Sequence, residues 1–266
     1  MTASERVADH YGGEGLVERL LADLAAAGHD IDPLDPDVLA GADEFHMGGR
    51  TLTDTVLHGL GDPGGALLDV GCGIGGPARV MARRFEVPVV GLDLTPEFVD
   101  AAEELTRRTG LADSVSFELG SALDMPFPDD RFAGAVMFHV GMNIEDKHAL
   151  FAEVARVLGQ GATFVVYDIM RLGDGEFGFP VPWATDPSTS FVATPDEYAD
   201  ALRSAGFEPD QPVVRTQEAM AAMADQRQMP VFLSHLMGDR IAGMIANLGP
   251  AAAQGVLAPT QITAHL

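Results

Sequence analysis

One segment of the sequence has the residue types and spacing of a ligand-binding loop. In it, an apolar run is interrupted by a carboxylate, and four glycines follow within six positions. The segment reads LLDVGCGIGG. Gly71, Gly73 and Gly76 match the G-x-G-x-x-G spacing of dinucleotide-binding loops. Gly71, Gly73 and Gly75, with Asp69 in front, match the D-x-G-x-G-x-G spacing of a different nucleotide pocket. Because glycine lets a backbone turn tightly and approach a ligand closely, both spacings predict a nucleotide-type cofactor.

Asp69 favours one of the two cofactor types. A pyrophosphate is negatively charged, so a carboxylate at the start of its loop would repel it. S-Adenosylmethionine instead carries an ammonium group and a sulfonium, and a carboxylate binds such a cation through a charge-assisted hydrogen bond or a water bridge. We therefore predict S-adenosylmethionine as the cofactor. A nicotinamide-dependent oxidoreductase stays open as the alternative, supported by Gly71, Gly73 and Gly76 alone.

The loop lies within a chain of alternating strands and helices. Apolar strand patterns and amphipathic helix patterns follow one another, the strands at 66–70, 88–93, 114–120, 132–140 and 161–170 and the helices at 76–85, 95–110 and 146–158. In the second of these helices, Thr95 is expected to be the N-cap and Gly110 to end it. Such alternation predicts a parallel sheet, whose ligands bind beyond the carboxyl ends of the strands. Asp93 and His139 follow two of these strands and are therefore expected at the same edge as the loop.

The flanking segments predict additional helices and an edge to the sheet. Helical patterns cover 13–27, with four leucines on one face, and about 49–60; a capped helix starts at Thr194; a sixth strand is possible at 208–216 and a closing strand at 255–266.

Three consecutive motifs, LLDVGCGIGGPAR, VVGLDLTPEFVDAA and LGSALDMPFPDDRFAGAVMFHV, resemble those of the class I S-adenosylmethionine-dependent methyltransferases. The most similar branch acts on small molecules and includes tocopherol, sterol, ubiquinone/menaquinone and sarcosine/dimethylglycine methyltransferases. The resemblance implies an α/β, Rossmann-like seven-stranded sheet, mostly parallel with an antiparallel last strand and helices on both faces. It divides the chain into an N-terminal helical cap or lid (1–60) and a methyltransferase domain (61–266) with a helical insertion at about 215–255, together one compact unit.

The resemblance also implies which residues hold the cofactor, whose product form is S-adenosylhomocysteine. Gly71, Gly73 and Gly75 would lie under the methionyl part, Asp93 would bind the ribose hydroxyls, and Leu94 would pack on the adenine. Ser121 stands where the family usually has an acid that accepts the adenine amino group, so that contact is expected to be weaker. The remaining predicted cofactor contacts are Cys72, Ala122, Leu123 and Phe138, with Cys72 expected to be a small buried residue and no nucleophile.

The side chains predicted near the transferring methyl group each have a structural alternative. His139 is the candidate catalytic residue, either as a base or as a group that positions the acceptor, and the alternative is a structural strand-end histidine. The predicted substrate contacts are Tyr11, His46, Asn143 and Trp183. The alternative for His46 is a loop hydrogen bond, and for Asn143, as for Glu145, it is capping of the helix that begins at residue 146. The alternative for Tyr11 and Trp183 is simple packing.

Composition excludes several function classes. Sixteen basic against 40 acidic residues give a net charge of −24, which argues against nucleic acid as a partner. No histidine spacing predicts a metal site, no apolar run predicts membrane insertion, and the single cysteine is typical of a reducing cytoplasm. Few cations (Arg50 and Arg171) are expected at the mouth of the site, which disfavours a highly phosphorylated acceptor. The expected partner is a small-molecule substrate; the oligomeric state is open. A non-catalytic S-adenosylmethionine-binding protein, consistent with Ser121, is a third possibility.

Overall fold

The sheet is the part of the fold that positions the predicted site. A computed structural model describes residues 6, 15–226 and 240–266. The strands in this part of the chain are β1 (Leu67–Val70), β2 (Val89–Asp93), β3 (Val115–Leu119), β4 (Phe132–Phe138), β5 (Leu158–Arg171), β6 (Glu208–Pro209), β7 (Val213–Val214) and β8 (Leu257–His265). Their order is β3-β2-β1-β4-β5-β8-β6, with β7 also paired to β8. Strands β1 to β5 run parallel, which confirms the predicted α/β class and brings the carboxyl ends of β1, β2 and β4 to one edge.

The far edge of the sheet is antiparallel, as predicted for the last strand. β8 pairs with β5 from Thr163 opposite His265 to Arg171 opposite Leu257. The predicted sixth strand, however, is two short strands, because β6 and β7 pair with β8 in different registers. Pro212 lies between them, and proline has no backbone N–H to donate to a ladder. The eight strands therefore occupy seven positions in the sheet.

The helices cover both faces of the sheet. Those in the described residues are α1 (Leu16–Ala26), α2 (Gly49–Val56), α3 (Gly76–Phe85), α4 (Pro96–Arg108), α5 (Lys147–Val157), α6 (Pro195–Ser204), α7 (Thr216–Gln226) and α8 (Arg240–Ala253). Alternate residues of a strand face opposite sides, so Leu68 and Val70 of β1 lie in one hydrophobic cluster and Leu67 in the other.

The helix ends agree with the sequence in part. A complete capping box forms at Thr194, where the hydroxyl accepts from the Glu197 backbone N–H. Thr95 occupies the N-cap position of α4, but its side chain makes no capping hydrogen bond. Helix α5 is capped by Asp146, which accepts from the Ala149 N–H, and not by Glu145. Asp146 is the better placed of the two because it immediately precedes the first helical residue.

The N-terminal part forms a cover that is pinned to the glycine loop. The leucine face of α1 packs against Phe98, Ala101 and Leu105 of α4. A fully buried ion pair joins Asp43 to Arg79 of α3 at 2.8 Å. Gly76 lies directly against the Asp43 carbonyl, so that any Cβ at this position would clash with it. This packing explains the fourth glycine of the loop without a ligand.

Candidate active site

The glycine loop turns sharply between β1 and α3. Gly71 and Gly73 have φ angles of 72° and 53°, in the left-handed region that favours glycine. The Gly71 and Cys72 N–H groups donate to the Leu92 carbonyl, at 2.7 and 3.0 Å. A Cβ on Gly71 would overlap the Val140 side chain, whereas a Cβ on Gly73 would meet no other atom within 4 Å. The loop thus leaves open space at Gly73 and is closely packed at Gly71.

The two glycines are expected to respond differently to alanine. Gly71→Ala should lower the free energy of unfolding by about 1–3 kcal/mol, since the methyl group adds a clash to the backbone strain. Gly73→Ala should change stability less and weaken cofactor binding more, because it fills space at the cavity wall. Thermal unfolding and calorimetric titration of both variants check this. Equal loss of stability in the two would contradict it.

A cavity opens at the carboxyl edge of the sheet, above this loop. It is bounded by Phe45, Gly71, Gly73, Leu92, Asp93, Leu94, Thr95, Phe98, Gly120, Ser121, Ala122, Leu123, Phe138, His139, Val140, Asn143 and Ile144. The structure therefore brings together eight of the predicted cofactor residues, Gly71, Gly73, Asp93, Leu94, Ser121, Ala122, Leu123 and Phe138. We call this space the cofactor cavity.

Asp93 is the polar centre of the cofactor cavity. One carboxylate oxygen accepts from the Gly73 N–H at 2.8 Å and the other from the Thr95 N–H at 2.9 Å. Burial raises its pKa, and these backbone hydrogen bonds lower it in part. Each carboxylate oxygen has two lone pairs, so each can still accept one hydrogen bond from a ligand.

Three predicted cofactor residues do not line the cavity. Gly75 lies against the Phe117 ring, where a Cβ would come within 2.7 Å. Cys72 is buried with its thiol facing the Gly73 carbonyl, and burial raises its pKa well above the usual value. Asp69 is 1% exposed beneath the loop. Their predicted contacts with the cofactor stay predictions, and for Asp69 a direct contact would require a movement of the loop.

Asp69 is an unusual buried acid. Neither of its oxygens has a hydrogen-bond partner in the described part of the chain. Burial raises its pKa to about 8, with contributions from the charges of Glu44 and Asp93. An acid whose pKa is raised in the folded state binds its proton more tightly there. Stability therefore falls as pH rises from about 4, where the unfolded chain loses the proton, to about 8.

Asp69→Asn should flatten this pH dependence because it removes the titrating group. The unfolding midpoint of the natural chain, measured relative to that of the variant at the same pH, should fall between pH 5 and pH 8. The charge argument from the sequence predicts that the same variant binds S-adenosylmethionine more weakly above about pH 8, where Asp69 is a carboxylate. Unchanged affinity would contradict the charge argument, and tighter binding of NADH would favour the oxidoreductase.

Ser121, which is predicted to contact the adenine, makes a local hydrogen bond within its own turn. The Ser121 hydroxyl accepts from the Leu123 N–H at 3.1 Å and so holds its own turn. Sequence reasoning missed seven wall residues of the cofactor cavity, Phe45, Leu92, Thr95, Phe98, Gly120, Val140 and Ile144. All of these except Phe98 are adjacent in sequence to predicted site residues. This adjacency is the signal by which they could have been predicted.

A second, larger cavity adjoins the first. It encloses about 430 Å³ and is bounded by Phe45, His46, Met47, His139, Met142, Ile169, Pro182, Trp183, Thr216, Met220, Met223, Ile241, Ile245, Leu248, Gly249, Ala252, Ala253, Leu257, Ala258 and Pro259. Phe45 and His139 line both cavities. We call the second space the acceptor cavity. Helices α7 and α8, the predicted helical insertion, form one wall of it.

His139 lies where the two cavities meet. Its φ of 54° is in the left-handed region, which is uncommon for a residue other than glycine. Its N–H donates to the Tyr167 carbonyl at 2.8 Å, and its ring lies 5.2 Å from the Tyr167 ring. Within the described residues its buried Nε2 has no hydrogen-bond partner. Burial, and secondarily His46, lowers its pKa well below the usual value, so the imidazole is neutral at pH 7.

His46 is part of a buried polar cluster behind His139. Its Nε2 lies 3.1 Å from the Glu44 carboxylate and 2.8 Å from the Thr53 hydroxyl, and its ring stacks on Phe138 at 4.8 Å. Arg50 donates to the same carboxylate at 2.6 Å. Burial raises the pKa of Glu44, but hydrogen bonds from His46 and the charge of Arg50 outweigh it and bring the pKa to about 2. His46 thus lines the second cavity, as predicted, and also makes the hydrogen bonds within the N-terminal part that were the alternative explanation.

The roof of the acceptor cavity is the loop at 177–191 after β5, which contains Phe177, Phe179, Trp183 and Phe191. The Asn143 side-chain amide donates to the carbonyls of Trp183 and Thr189, at 2.7 and 3.0 Å. The Trp183 indole N–H donates to the Ser190 hydroxyl at 2.9 Å. Asn143 therefore positions the roof from the cofactor side, and Trp183 lines the cavity with its ring. Tyr11 lies outside the described residues.

The described residues contain no cluster of three or more histidine, cysteine or acidic side chains that could hold a metal ion. Within the same part of the chain, no helix is long and apolar enough to cross a membrane.

The comparison with protein families favours S-adenosylmethionine over a nicotinamide cofactor. Residues 68–166 match the family model described as a methyltransferase domain. This part of the chain is similar to methyltransferase domains. It contains the glycine loop, Asp93, Ser121 and His139, which confirms the resemblance predicted from the three motifs.

The relatives that the chain resembles in sequence are also named as methyltransferases. The chain is 39% identical to ajmaline N-methyltransferase of Rauvolfia serpentina over 100 residues, 38% of this chain and 34% of that protein. It is 31% identical to methyltransferase GfsG of Streptomyces halstedii over 172 residues, 64% of this chain and 60% of that protein. The matched segments thus span from about a third to three fifths of these curated relatives.

The fold extends the similarity beyond the methyltransferase domain. A crystal structure of geranyl diphosphate C-methyltransferase from Streptomyces coelicolor, in complex with Mg²⁺, geranyl-S-thiolodiphosphate and S-adenosyl-L-homocysteine, superposes with a TM-score of 0.73. The alignment covers 100% of this chain and 98% of that one at 20% identity. At this identity the likeness shows a shared fold, including the regions on either side of residues 68–166.

Proposed function

We propose that the protein transfers a methyl group from S-adenosylmethionine to a small molecule. The observation that carries the proposal is the meeting of the two cavities at Phe45 and His139. Methyl transfer is an in-line displacement, so the donor and acceptor must approach each other along one line. Two adjoining cavities that share a short boundary provide this arrangement.

The residues of the cofactor cavity fit S-adenosylmethionine. Gly71 packs against the Val140 side chain so closely that no Cβ fits there, whereas Gly73 leaves open space in which the methionyl part could lie. Asp93 keeps a lone pair on each oxygen for the ribose hydroxyls, and Leu94 and Phe138 offer apolar surface to the adenine and the methionyl chain. The bound cofactor would supply a methyl group activated by the positive sulfonium.

His139 is placed to act on the acceptor. A neutral imidazole can accept a hydrogen bond or a proton from the attacking group, and its backbone is held by the Tyr167 carbonyl. Positioning is favoured over proton abstraction, because a neutral or already deprotonated nucleophile needs no base. His46, fixed by Glu44 and Thr53, would bound the acceptor beside it.

Calorimetric titration with S-adenosylhomocysteine and with NADH tests the proposal. We expect S-adenosylhomocysteine to bind and NADH not to bind. Binding of NADH alone would replace the proposal with the oxidoreductase alternative. Binding of S-adenosylhomocysteine with no turnover of any acceptor would favour a non-catalytic binding protein. Cytoplasmic location and the absence of a nucleic-acid partner stay predictions from the single cysteine and the charge of −24.

A further inference from the structure

We infer that the methyl acceptor is a neutral, predominantly apolar molecule, and that the acceptor cavity discriminates against phosphorylated and cationic relatives of the same skeleton. The inference rests on the proposed function and names its substrate class. It is carried by the lining of the acceptor cavity and by the pairing of the nearby charged side chains.

The wall of the acceptor cavity is almost entirely apolar. Four methionines line it, Met47, Met142, Met220 and Met223, together with aliphatic side chains of α8 and β8. Methionine is unbranched and polarizable, so it adapts to irregular apolar shapes. The volume of about 430 Å³ lies within the range of about 300–1,000 Å³ that is usual for small-molecule sites.

Four polar side chains line the described wall, His46, His139, Trp183 and Thr216, and two of them are hydrogen-bonded to other protein groups. The Trp183 N–H is used by Ser190, and the His46 Nε2 lies against Glu44 and Thr53. His139, at the boundary with the cofactor cavity, is the ring whose Nε2 has no partner among the described residues. An acceptor would therefore place its one polar, nucleophilic end at His139 and its apolar body among the methionines.

The part of the cavity wall that the structure describes offers no counterion to a charged ligand. Among the described residues that line it, none is Asp, Glu, Lys or Arg. The two cations expected near the mouth are engaged elsewhere: Arg50 binds Glu44 and Asp37, and Arg171 donates to the carbonyls of Gly173 and Gly175. Transfer of an unpaired charge from water into such a site is strongly unfavourable.

Three ligands with one carbon skeleton test the inference: geraniol, geranylamine and geranyl diphosphate, the last with added Mg²⁺. Trp183 is the single tryptophan of the chain and lines the acceptor cavity, so its fluorescence reports binding there. Titrations are done on the full chain saturated with S-adenosylhomocysteine. We expect geraniol to bind about tenfold or more tightly than either charged ligand. Equal or tighter binding of the diphosphate or the amine, or no binding of geraniol up to its solubility limit, would overturn the inference.

A charge placed at the cavity rim provides the complementary test. Met220 is 58% exposed and also lines the cavity, so Met220→Lys should fold and should improve binding of geranyl diphosphate by about three- to tenfold. Leu172→Lys is the matched control, because Leu172 is 41% exposed and does not line the cavity. The same change in both variants would mean that general surface charge sets the preference. The binding of S-adenosylhomocysteine is measured in a separate titration. If S-adenosylhomocysteine does not bind, the proposed function is rejected, whereas the ligand titrations test the substrate class.

Discussion

His139→Ala is expected to lower kcat by about 10²–10⁴-fold if the imidazole is the base, with little change in the affinity for S-adenosylhomocysteine. The reason is its position: His139 lines both cavities, whereas the hydrogen bond between the Gly73 N–H and Asp93, the residue predicted to hold the ribose, does not involve it. Turnover would be followed as S-adenosylhomocysteine released with an acceptor that the enzyme methylates. If His139 only positions the acceptor, His139→Gln should keep much of the rate.

The pH dependence separates these two roles. Because the pKa of His139 is held well below its usual value, a catalytic base would lose activity only below pH 6.5, and the variant would lack that acidic limb. The same depressed pKa affects stability. Below about pH 6.5 the unfolded chain takes up a proton that the folded chain does not, so stability falls as pH falls. His139→Ala should remove this part of the acid sensitivity.

Two controls keep the His139 prediction testable. His139→Asn retains a polar side chain and tolerates the left-handed backbone, so it should fold at least as well as His139→Ala. His58→Ala replaces an exposed histidine outside both cavities and should leave the rate unchanged. Loss of cofactor binding or of folding in His139→Ala, with His139→Asn equally affected, would show that the histidine is structural.

Asp93→Ala is expected to weaken cofactor binding by about 2–4 kcal/mol, roughly a 30- to 1,000-fold increase in Kd. The carboxylate accepts from the Gly73 and Thr95 N–H groups and is predicted to accept from both ribose hydroxyls as well. Its removal would leave buried donors of the ligand and of the loop unpaired. Calorimetry with S-adenosylhomocysteine measures the effect.

Asp93→Asn and Asp100→Ala are the comparison variants for this second prediction. Asp93→Asn keeps one acceptor oxygen and should lose less affinity than Asp93→Ala. Asp100 is an exposed acid of α4, and its replacement should not change Kd. Affinity equal to that of the natural chain in Asp93→Ala would remove Asp93 from the cofactor site. Thermal unfolding of each variant shows whether the loop itself has been lost.

The sequence by itself determined the elements that carry the site. Apolar runs and helix signals are local, so β1, α3 and the capped helix that begins after Thr194 lie where the patterns predict them. Parallel pairing then follows from strand–helix alternation, and it brings Asp93 and His139 to the edge that carries the glycine loop. The family resemblance rests on the same local motifs, and the methyltransferase-domain match covers them.

Only the tertiary structure decided which of these residues face a ligand. Asp69 and Gly75 belong to the motif, yet one is buried under the loop and the other packs on Phe117, because a loop has an inner and an outer side that spacing does not distinguish. The acceptor cavity is formed by segments far apart in sequence, from Phe45 and His46 to the residues of α8 and β8. Its apolar character is a property of that assembly. The apolar lining cannot be predicted from any one segment, because each contributing segment has the composition of a segment buried in an ordinary hydrophobic core.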